Sequence, residues 1–389
     1  MNKRIDVIRI ICLLMWGMAI FAYFFQFPLK SISALIIPCL AVYLVCKIPK
    51  LQFDKKTIVL IIAFLVCLTC SAAFALARNT EITRVLRFLF ILLAIVFCSL
   101  VQEDNFSRER EIFISLAVAK SIVIIAIAIT LLIVRDFSFL RQWAWTNDLG
   151  DIYFLNPLAP KVQVQGNALL VIAFFSECMK KNKSILRLGI MLAGIFFAGN
   201  FAYVLGLGLF IVYIAYKKII PILRQNRTIV KALIGIVIVA YIVVMPYLIS
   251  KIEEKAEVSN QTRIEQAEVL LDTNIFLGSG LGNYIKAVTP TRNYNGDIYF
   301  ELQTLYIINQ IGLVGLLLFY GIVFRNVVKR GRETLVLYLI YVIYTFWNPY
   351  CFDTTQMIAT LLIMNMMNVG EKNEESNCNG ILSKWRKSS

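Results

Sequence analysis

Residues 57–77 read TIVLIIAFLVCLTCSAAFALA, without one charged side chain. A helix of roughly 20 mostly apolar residues crosses a bilayer, so this stretch is read as a membrane span. Working outward, similar runs lie near 10–27, 32–46, 86–101, 112–134, 166–179, 185–199, 201–216, 229–249, 302–324, 334–348 and 355–369. Together they predict an all-α polytopic protein of about twelve transmembrane helices. The runs are continuous and do not alternate, which excludes a membrane barrel. Composition agrees. The chain has 389 residues, 59% of them hydrophobic and 16% charged, too few polar side chains to clothe a water-soluble fold.

The net charge of +15 would suit a nucleic-acid binder, but its distribution argues against one. About 25 of the Lys and Arg residues fall in loops on the side of the N-terminus and about 12 on the other. The clusters Lys47–Lys56, Lys180–Arg187, Lys217–Lys231 and Arg325–Arg332 share the N-terminal side. This is the positive-inside pattern, and it predicts that both termini are cytoplasmic. Residues 1–370 are read as one integral membrane domain, and 371–389 as a polar, unstructured cytoplasmic tail. The first apolar run is long enough to remain as a helix. Nine cysteines are present. Most lie inside spans, Cys67 and Cys70 included, where they read as small hydrophobes; neither a disulfide framework nor a metal site is expected. Histidine is lacking altogether, so any proton transfer must use a carboxylate, Lys, Tyr or Cys.

Two outer segments break the apolar pattern, at about 135–165 and 250–300. The second, rich in both charge signs, is the candidate for chemistry or recognition. Its Thr262-x-x-Glu265 resembles a capping box. Ile264, Ala267 and Leu271 follow at helical spacing, which predicts a short amphipathic helix from Arg263 to Asp272. Arg263 would sit in its first turn, either to clamp a phosphate group bidentately or as a solvated charge paired with Glu265 or Glu268. Gly278, Gly280 and Gly282 read either as an anion-binding backbone nest or as plain turn residues. Glu301 and Gln303 stand where the loop enters the next span. An ionisable residue at that depth either serves a function or reaches for water. Arg84 and Arg87, one helical turn apart, either meet phosphates or snorkel to the interface. Lys120, Asn167, Asn200, Asn309 and Gln310 are polar residues inside spans, where amides hydrogen-bond between helices. Trp347-Asn-Pro-Tyr350 ends the penultimate span with interfacial aromatics, and Asp353 follows as a second carboxylate at the same mouth.

These residues resemble a family. Arg263-Ile-Glu-Gln-Ala, then Phe276-Leu-Gly-Ser-Gly-Leu-Gly282, then Glu301 followed by Gly312-Leu-Val-Gly315-Leu-Leu-Leu-Phe319, look like the O-antigen polymerase/ligase superfamily. Its members show an Arg on a loop helix, a glycine turn, and a span whose polar catalytic residue stands eleven positions before a G-[LIV]-[LIV]-G run. Lys161-Val-Gln-Val-Gln-Gly-Asn167, Ala198-Gly-Asn-Phe-Ala202 and Asn348-Pro-Tyr-Cys-Phe-Asp353 resemble further segments of the polymerase branch. The resemblance covers about two-thirds of the chain, from about residue 160 onward. Ligases of the superfamily carry His where Glu301 stands, and the proline usual before the glycine turn is missing here. A chain without histidine therefore resembles the polymerases of the Wzy type more closely.

The resemblance implies a glycosyltransferase of the bacterial inner membrane, acting in lipopolysaccharide or related polysaccharide biosynthesis. Its substrate would be a polyprenyl-pyrophosphate-linked oligosaccharide, held beside membrane lipid, and its partners a chain-length regulator and a flippase. Glu301 would be the base, with Asp353 or Asp297 as substitutes. Arg263, then Arg292, Arg84 and Arg87, would hold the pyrophosphate. Gly280, Gly282, Gln303, Lys161 and Asn167 complete the expected substrate-binding set. No cofactor, nucleotide or metal is expected, because the leaving group is already activated. Two other classes fit the same spans: a lipid-linked oligosaccharide flippase, and a ligase that transfers glycan to lipid A core. A flippase would spread its charges along a central cavity, whereas this chain gathers them in one loop and at Glu301.

Overall fold

A computed structural model describes residues 2–103, 105–134, 136–156, 159–225, 261–272, 274–290, 293–295, 300–346 and 348–366. α1 (Asn2–Phe25) and α2 (Ile36–Cys46) form the first helical hairpin. α3 (Lys55–Ala77), α4 (Ile82–Leu100) and α5 (Ser107–Val134) follow, then a short α6 (Ser138–Thr146). A β-hairpin, β1 (Gly150–Asn156) and β2 (Ala159–Val164), leads into α7 (Leu170–Cys178), α8 (Ile185–Ala198) and α9 (Phe201–Gln225). Residues 261–271 form α10. A second small hairpin, β3 (Lys286–Val288) and β4 (Asn293–Asn295), precedes α11 (Gln303–Lys329), α12 (Arg332–Thr345) and α13 (Thr354–Met366). The two hairpins fall in the two long loops, where an all-α reading had placed no strand.

Among the described residues, five helices are long and apolar enough to cross a membrane: Val7–Phe25, Lys55–Ala77, Ile82–Leu100, Ser107–Val134 and Gln303–Lys329. The protein is therefore a membrane-embedded helical bundle, but not all of the expected twelve spans have that length. α7 and α12 have 9 and 14 residues, about 14–21 Å at 1.5 Å per residue, against roughly 30 Å of hydrocarbon. The expected span at 229–249 lies outside the described residues. Burial explains the short elements. α13 is buried from Thr355 to Met366, and α7 is buried along most of its length. A helix enclosed on all sides packs against protein and need not match the lipid thickness. Its polar side chains are satisfied internally: Asn365 Oδ1 accepts the Glu103 N–H at 2.9 Å, and Gln356 Nε2 donates to the Tyr338 hydroxyl at 3.2 Å. α3 shows the opposite pattern. Ile58, Val59, Ile62, Leu65 and Val66 are exposed, an apolar flank that suits lipid and not water.

Charged residues collect at the two ends. At one end Lys47 pairs with Glu103 at 2.6 Å and Glu109 at 3.3 Å. Nearby Asp54 holds Arg325 and Lys329, and Glu111 holds Lys180 and Arg187. The other end carries α10 and both hairpins.

α11 is not continuous. Gly312 has φ +72 and ψ 170 in its interior, about 14 Å along the helix from its head. The break is filled reciprocally by residues 275–280. The N–H groups of Leu313 and Val314 donate to the carbonyls of Ile275 (2.8 Å) and Phe276 (3.4 Å), while Ser279 and Gly280 donate to the carbonyls of Asn309 (2.6 Å) and Gln310 (3.1 Å). Each helical rung lost at the break is thus replaced by a bond to the inserted turn. Broken backbone inside a bilayer requires this kind of internal satisfaction. The glycines permit the approach: a Cβ on Gly278 would meet the Gly312 nitrogen at 2.6 Å, and one on Gly280 would meet Ala75 of α3 at 2.9 Å.

A Cβ at Gly312 would stand 2.1 Å from the Phe276 carbonyl oxygen. Left-handed backbone alone costs an L-residue about 1–2 kcal/mol, and the clash adds to it. Gly312→Ala is expected to lower the melting temperature of the detergent-purified protein sharply. Gly321→Ala, in the same helix with nothing within 4 Å, is expected to leave it unchanged or raise it. Equal melting curves for the two variants would show that the break is not needed.

Candidate functional site

The head of α11 is held by α10. Leu302 stands at the N-cap of α11 without a capping side chain, so the first N–H groups need acceptors from elsewhere. Gln266, fully buried in α10, supplies one: its Oε1 accepts from Glu301 N–H at 3.0 Å and Leu302 N–H at 3.4 Å. Its Nε2 donates to the Tyr294 hydroxyl at 2.9 Å. Tyr294, Phe300 and Tyr306 stack in turn at 4.7 and 5.2 Å between centroids. Glu301 is therefore fixed at its backbone by a buried side chain of α10.

Arg263 lies one helical turn before Gln266, and its Nε is 3.4 Å from Glu301 Oε2. The two residues singled out for opposite roles are in contact, and both remain partly open, with side chains 30% and 21% exposed. The helix begins at or before residue 261, so Thr262 is not its N-cap and the capping-box reading is corrected. α10 does not sort its faces as a soluble amphipathic helix does, for its buried side carries polar residues beside fully buried Leu270. Thr262, Glu265 and Gln266 are buried, while Ile264 is 60% and Leu271 40% exposed. Its exposed side mixes Ile264 and Leu271 with Gln261, Glu268 and Asp272, and leads to exposed Ile275, Phe276 and Leu277. That arrangement suits a helix lying in the lipid interface.

Other expected residues fall in three groups. Arg84 is buried, with its guanidinium carbon 3.4 Å above the Tyr284 ring, whereas Arg87 is exposed; one helical turn separates a cation locked in the fold from one open to the surroundings. Gln303 opens α11 half-buried. Arg292 and Asp297 lie outside the described residues.

The glycine turn and the first hairpin give corrections. The N–H groups of Ser279, Gly280 and Leu281 donate to the carbonyls of Asn309, Gln310 and Ser71. Gly280 therefore forms no anion nest, because its donor is already used within the fold. Gly282 serves close packing, its α-carbon set against Val85 of α4. Asn167 is buried and donates to the Val162 carbonyl at 2.8 Å; it ties β2 to the head of α7. Lys161 is buried beneath Gly199, where its Nζ donates to the Phe196 carbonyl at 3.3 Å. Lys120, for which no carboxylate partner was evident, donates to the Gln165 carbonyl at 3.2 Å and lies near the Phe27 ring.

Asp353 caps α13, accepting from Thr355 Oγ1 at 2.8 Å and Gln356 N–H at 3.1 Å. Burial pushes its carboxyl up to about 7, against these hydrogen bonds, which favour the ionised form. The same loop carries Tyr350. Burial raises the Tyr350 hydroxyl above its usual range, and the charges of Asp353 and Glu301 both add to the shift. Both carboxylates thus act on one phenol, which places them at a common end of the bundle.

The raised Asp353 value has a consequence for stability. An Asp side chain in an unfolded chain ionises near 3.9, so between about 4 and 7 the folded state binds the extra proton. Stability then falls as pH rises through that window. The apparent melting temperature is expected to drop between pH 5 and pH 8, and Asp353→Asn is expected to remove that part of the drop. A pH profile identical in the variant would exclude a neutral Asp353 at low pH.

Sequence reasoning passed over Gln266 and Tyr284. Gln266 had a usable signal: it stands one turn after Arg263 on the same side of a helix. Tyr284 had none, because its partner Arg84 is remote in sequence. Comparison with known proteins finds no matching family model, no matching curated protein and no matching solved structure.

Proposed function

We propose that this protein is a membrane polysaccharide polymerase that uses polyprenyl-pyrophosphate-linked oligosaccharides. The observation that carries the reading is the double character of α10. It sets Arg263 against Glu301 on one side and presents Ile264, Leu271 and the 275–277 turn on the other. A lipid-linked pyrophosphate needs these two surfaces together, a cation for its head and an apolar face for its chain.

In this reading both termini are cytoplasmic and the α10 end faces outward from a bacterial inner membrane, as the charge asymmetry implies. The acceptor hydroxyl oxygen attacks the anomeric carbon of the donor glycan. The bond from that carbon to the phosphate oxygen breaks, and the lipid pyrophosphate leaves with the electron pair. The hydroxyl proton passes to the Glu301 carboxylate. Arg263 receives the charge that develops on the pyrophosphate. As the pyrophosphate competes for the Arg263 guanidinium, the Glu301 oxygen it held becomes available to the acceptor.

The test is reconstitution. Purified protein in lipid nanodiscs, supplied with lipid-linked repeat units from the cells that make it, is expected to produce a ladder of polymers without nucleotide or added metal. Products that remain single units, while the substrate crosses the bilayer of a proteoliposome, would replace the polymerase with a flippase.

A further inference from the structure

Beside the charged pair lies a second polar cluster with no excess cation. It is built where the α8–α9 turn meets the loop from α12 to α13. Asn200 Nδ2 donates to Asn348 Oδ1 at 3.3 Å and to the Tyr350 hydroxyl at 3.2 Å, and Tyr203 and Tyr350 share a hydroxyl hydrogen bond of 2.9 Å. Asn200, Asn348, Tyr350 and Asp353 are all half-buried.

The hydrogen-bonding capacity of this cluster exceeds what the fold uses. Two phenols bring two hydroxyl protons, but the Tyr203–Tyr350 bond consumes one. The other proton has no acceptor among the described residues, and neither has the Asn348 side-chain amide. Among the described residues Asn348 Oδ1 accepts a single bond, although an amide oxygen has two lone pairs. The surplus is therefore a set of donors beside acceptors, on residues that are not fully solvated. The loop itself is held in an unfavourable form. Phe352 has φ +55, costly for a bulky side chain, and is kept there by Gln356 Oε1, which accepts its N–H at 2.6 Å. Backbone strain of this kind collects at binding sites.

We infer that the cluster of Asn200, Asn348, Tyr350 and Asp353 binds the acceptor saccharide through its hydroxyl groups. A sugar hydroxyl both donates and accepts, which matches the mixed surplus, whereas a phosphate accepts only and would be repelled by Asp353. Lys161, whose side chain lies against Gly199 next to Asn200, is buried and bonded to a carbonyl. The inference rests on the polymerase reading and divides the site in two: pyrophosphate at Arg263, acceptor sugar at Tyr350, and Glu301 acting on both.

The test uses full-length protein in nanodiscs and the repeat-unit oligosaccharide released by mild acid from the host's own lipid-linked precursor. This probe carries neither lipid nor pyrophosphate. Wild type is expected to bind it in titration calorimetry. Tyr350→Phe, which removes one hydroxyl, and Asn348→Ala are each expected to weaken binding at least about 10-fold and to raise the acceptor KM by a similar factor with kcat largely kept. Arg263→Ala is expected to bind the free oligosaccharide as wild type does. Melting temperatures within a degree or two of wild type qualify a variant, and either variant alone suffices. Unchanged binding in a folded variant, or weakened binding in Arg263→Ala, overturns the inference. Ladders formed with an unchanged acceptor KM would sink this site while leaving the polymerase reading intact. Variant-sensitive binding without any ladder would do the reverse.

Discussion

Glu301→Gln is expected to reduce polymer formation about 10²–10⁴-fold, the usual contribution of a positioned general base. The substitution keeps the shape and the backbone bonds to Gln266 at 3.0 and 3.4 Å, so the head of α11 stays in place. It removes only the ability to take a proton. The weakened contact with Arg263 matters little to folding, because a pair this exposed is typically worth about 0–1 kcal/mol. The loss should therefore fall on kcat, with the acceptor KM changing much less. Reconstituted ladders resolved on gels give the measurement directly. Ladders of normal length and rate would transfer the role of base to another carboxylate, and Asp353→Asn would then be the variant to make. Loss of both protein and product would instead assign Glu301 to stability.

Arg263→Ala is expected to cost about 10²–10³-fold, the scale seen when one preorganised donor to developing charge is removed. The side chain is 30% exposed and its only ion pair among the described residues is with Glu301, so the folded yield should hold. Arg263→Lys is the informative companion. An ammonium restores the charge but not the planar fork that grips two phosphate oxygens together, and little activity should return. Full recovery in the Lys variant would mean that Arg263 acts as a point charge. Full activity in the Ala variant would move the pyrophosphate to Arg84, Arg87 or Arg292. Because Arg84 is buried against Tyr284 and Arg87 is exposed, Arg87→Ala would be the next variant to assay.

The membrane class of the protein was legible in the sequence because it depends on a local sum. Each apolar residue adds its own transfer free energy, so a run such as 57–77 declares itself without reference to any partner. The split of charge between the loops is legible for the same reason. A hydrophilic stretch with Arg263 and a carboxylate at its end is likewise visible as a break in an apolar pattern. Even the run from Glu301 to Gly312 could be read, although its meaning as a break in α11 could not.

What only the tertiary structure decided are the relations between remote surfaces. Glycine at 278, 280 and 282 reads alike as turn, nest or packing surface; the choice falls to packing because Gly312 and Ala75 stand within contact distance. The pattern of Ile264, Ala267 and Leu271 marks an apolar face but not its direction: Ile264 and Leu271 are exposed, while Ala267 packs against the core and Gln266 is buried. Asn167 looks the same in sequence whether it meets a substrate or a carbonyl of its own hairpin. The Arg263–Glu301 contact depends on where α10 docks against α11. Local free energy assigns residues to membrane or water, but a pairing between them exists only once two helices share a surface, and no property of either residue alone contains it.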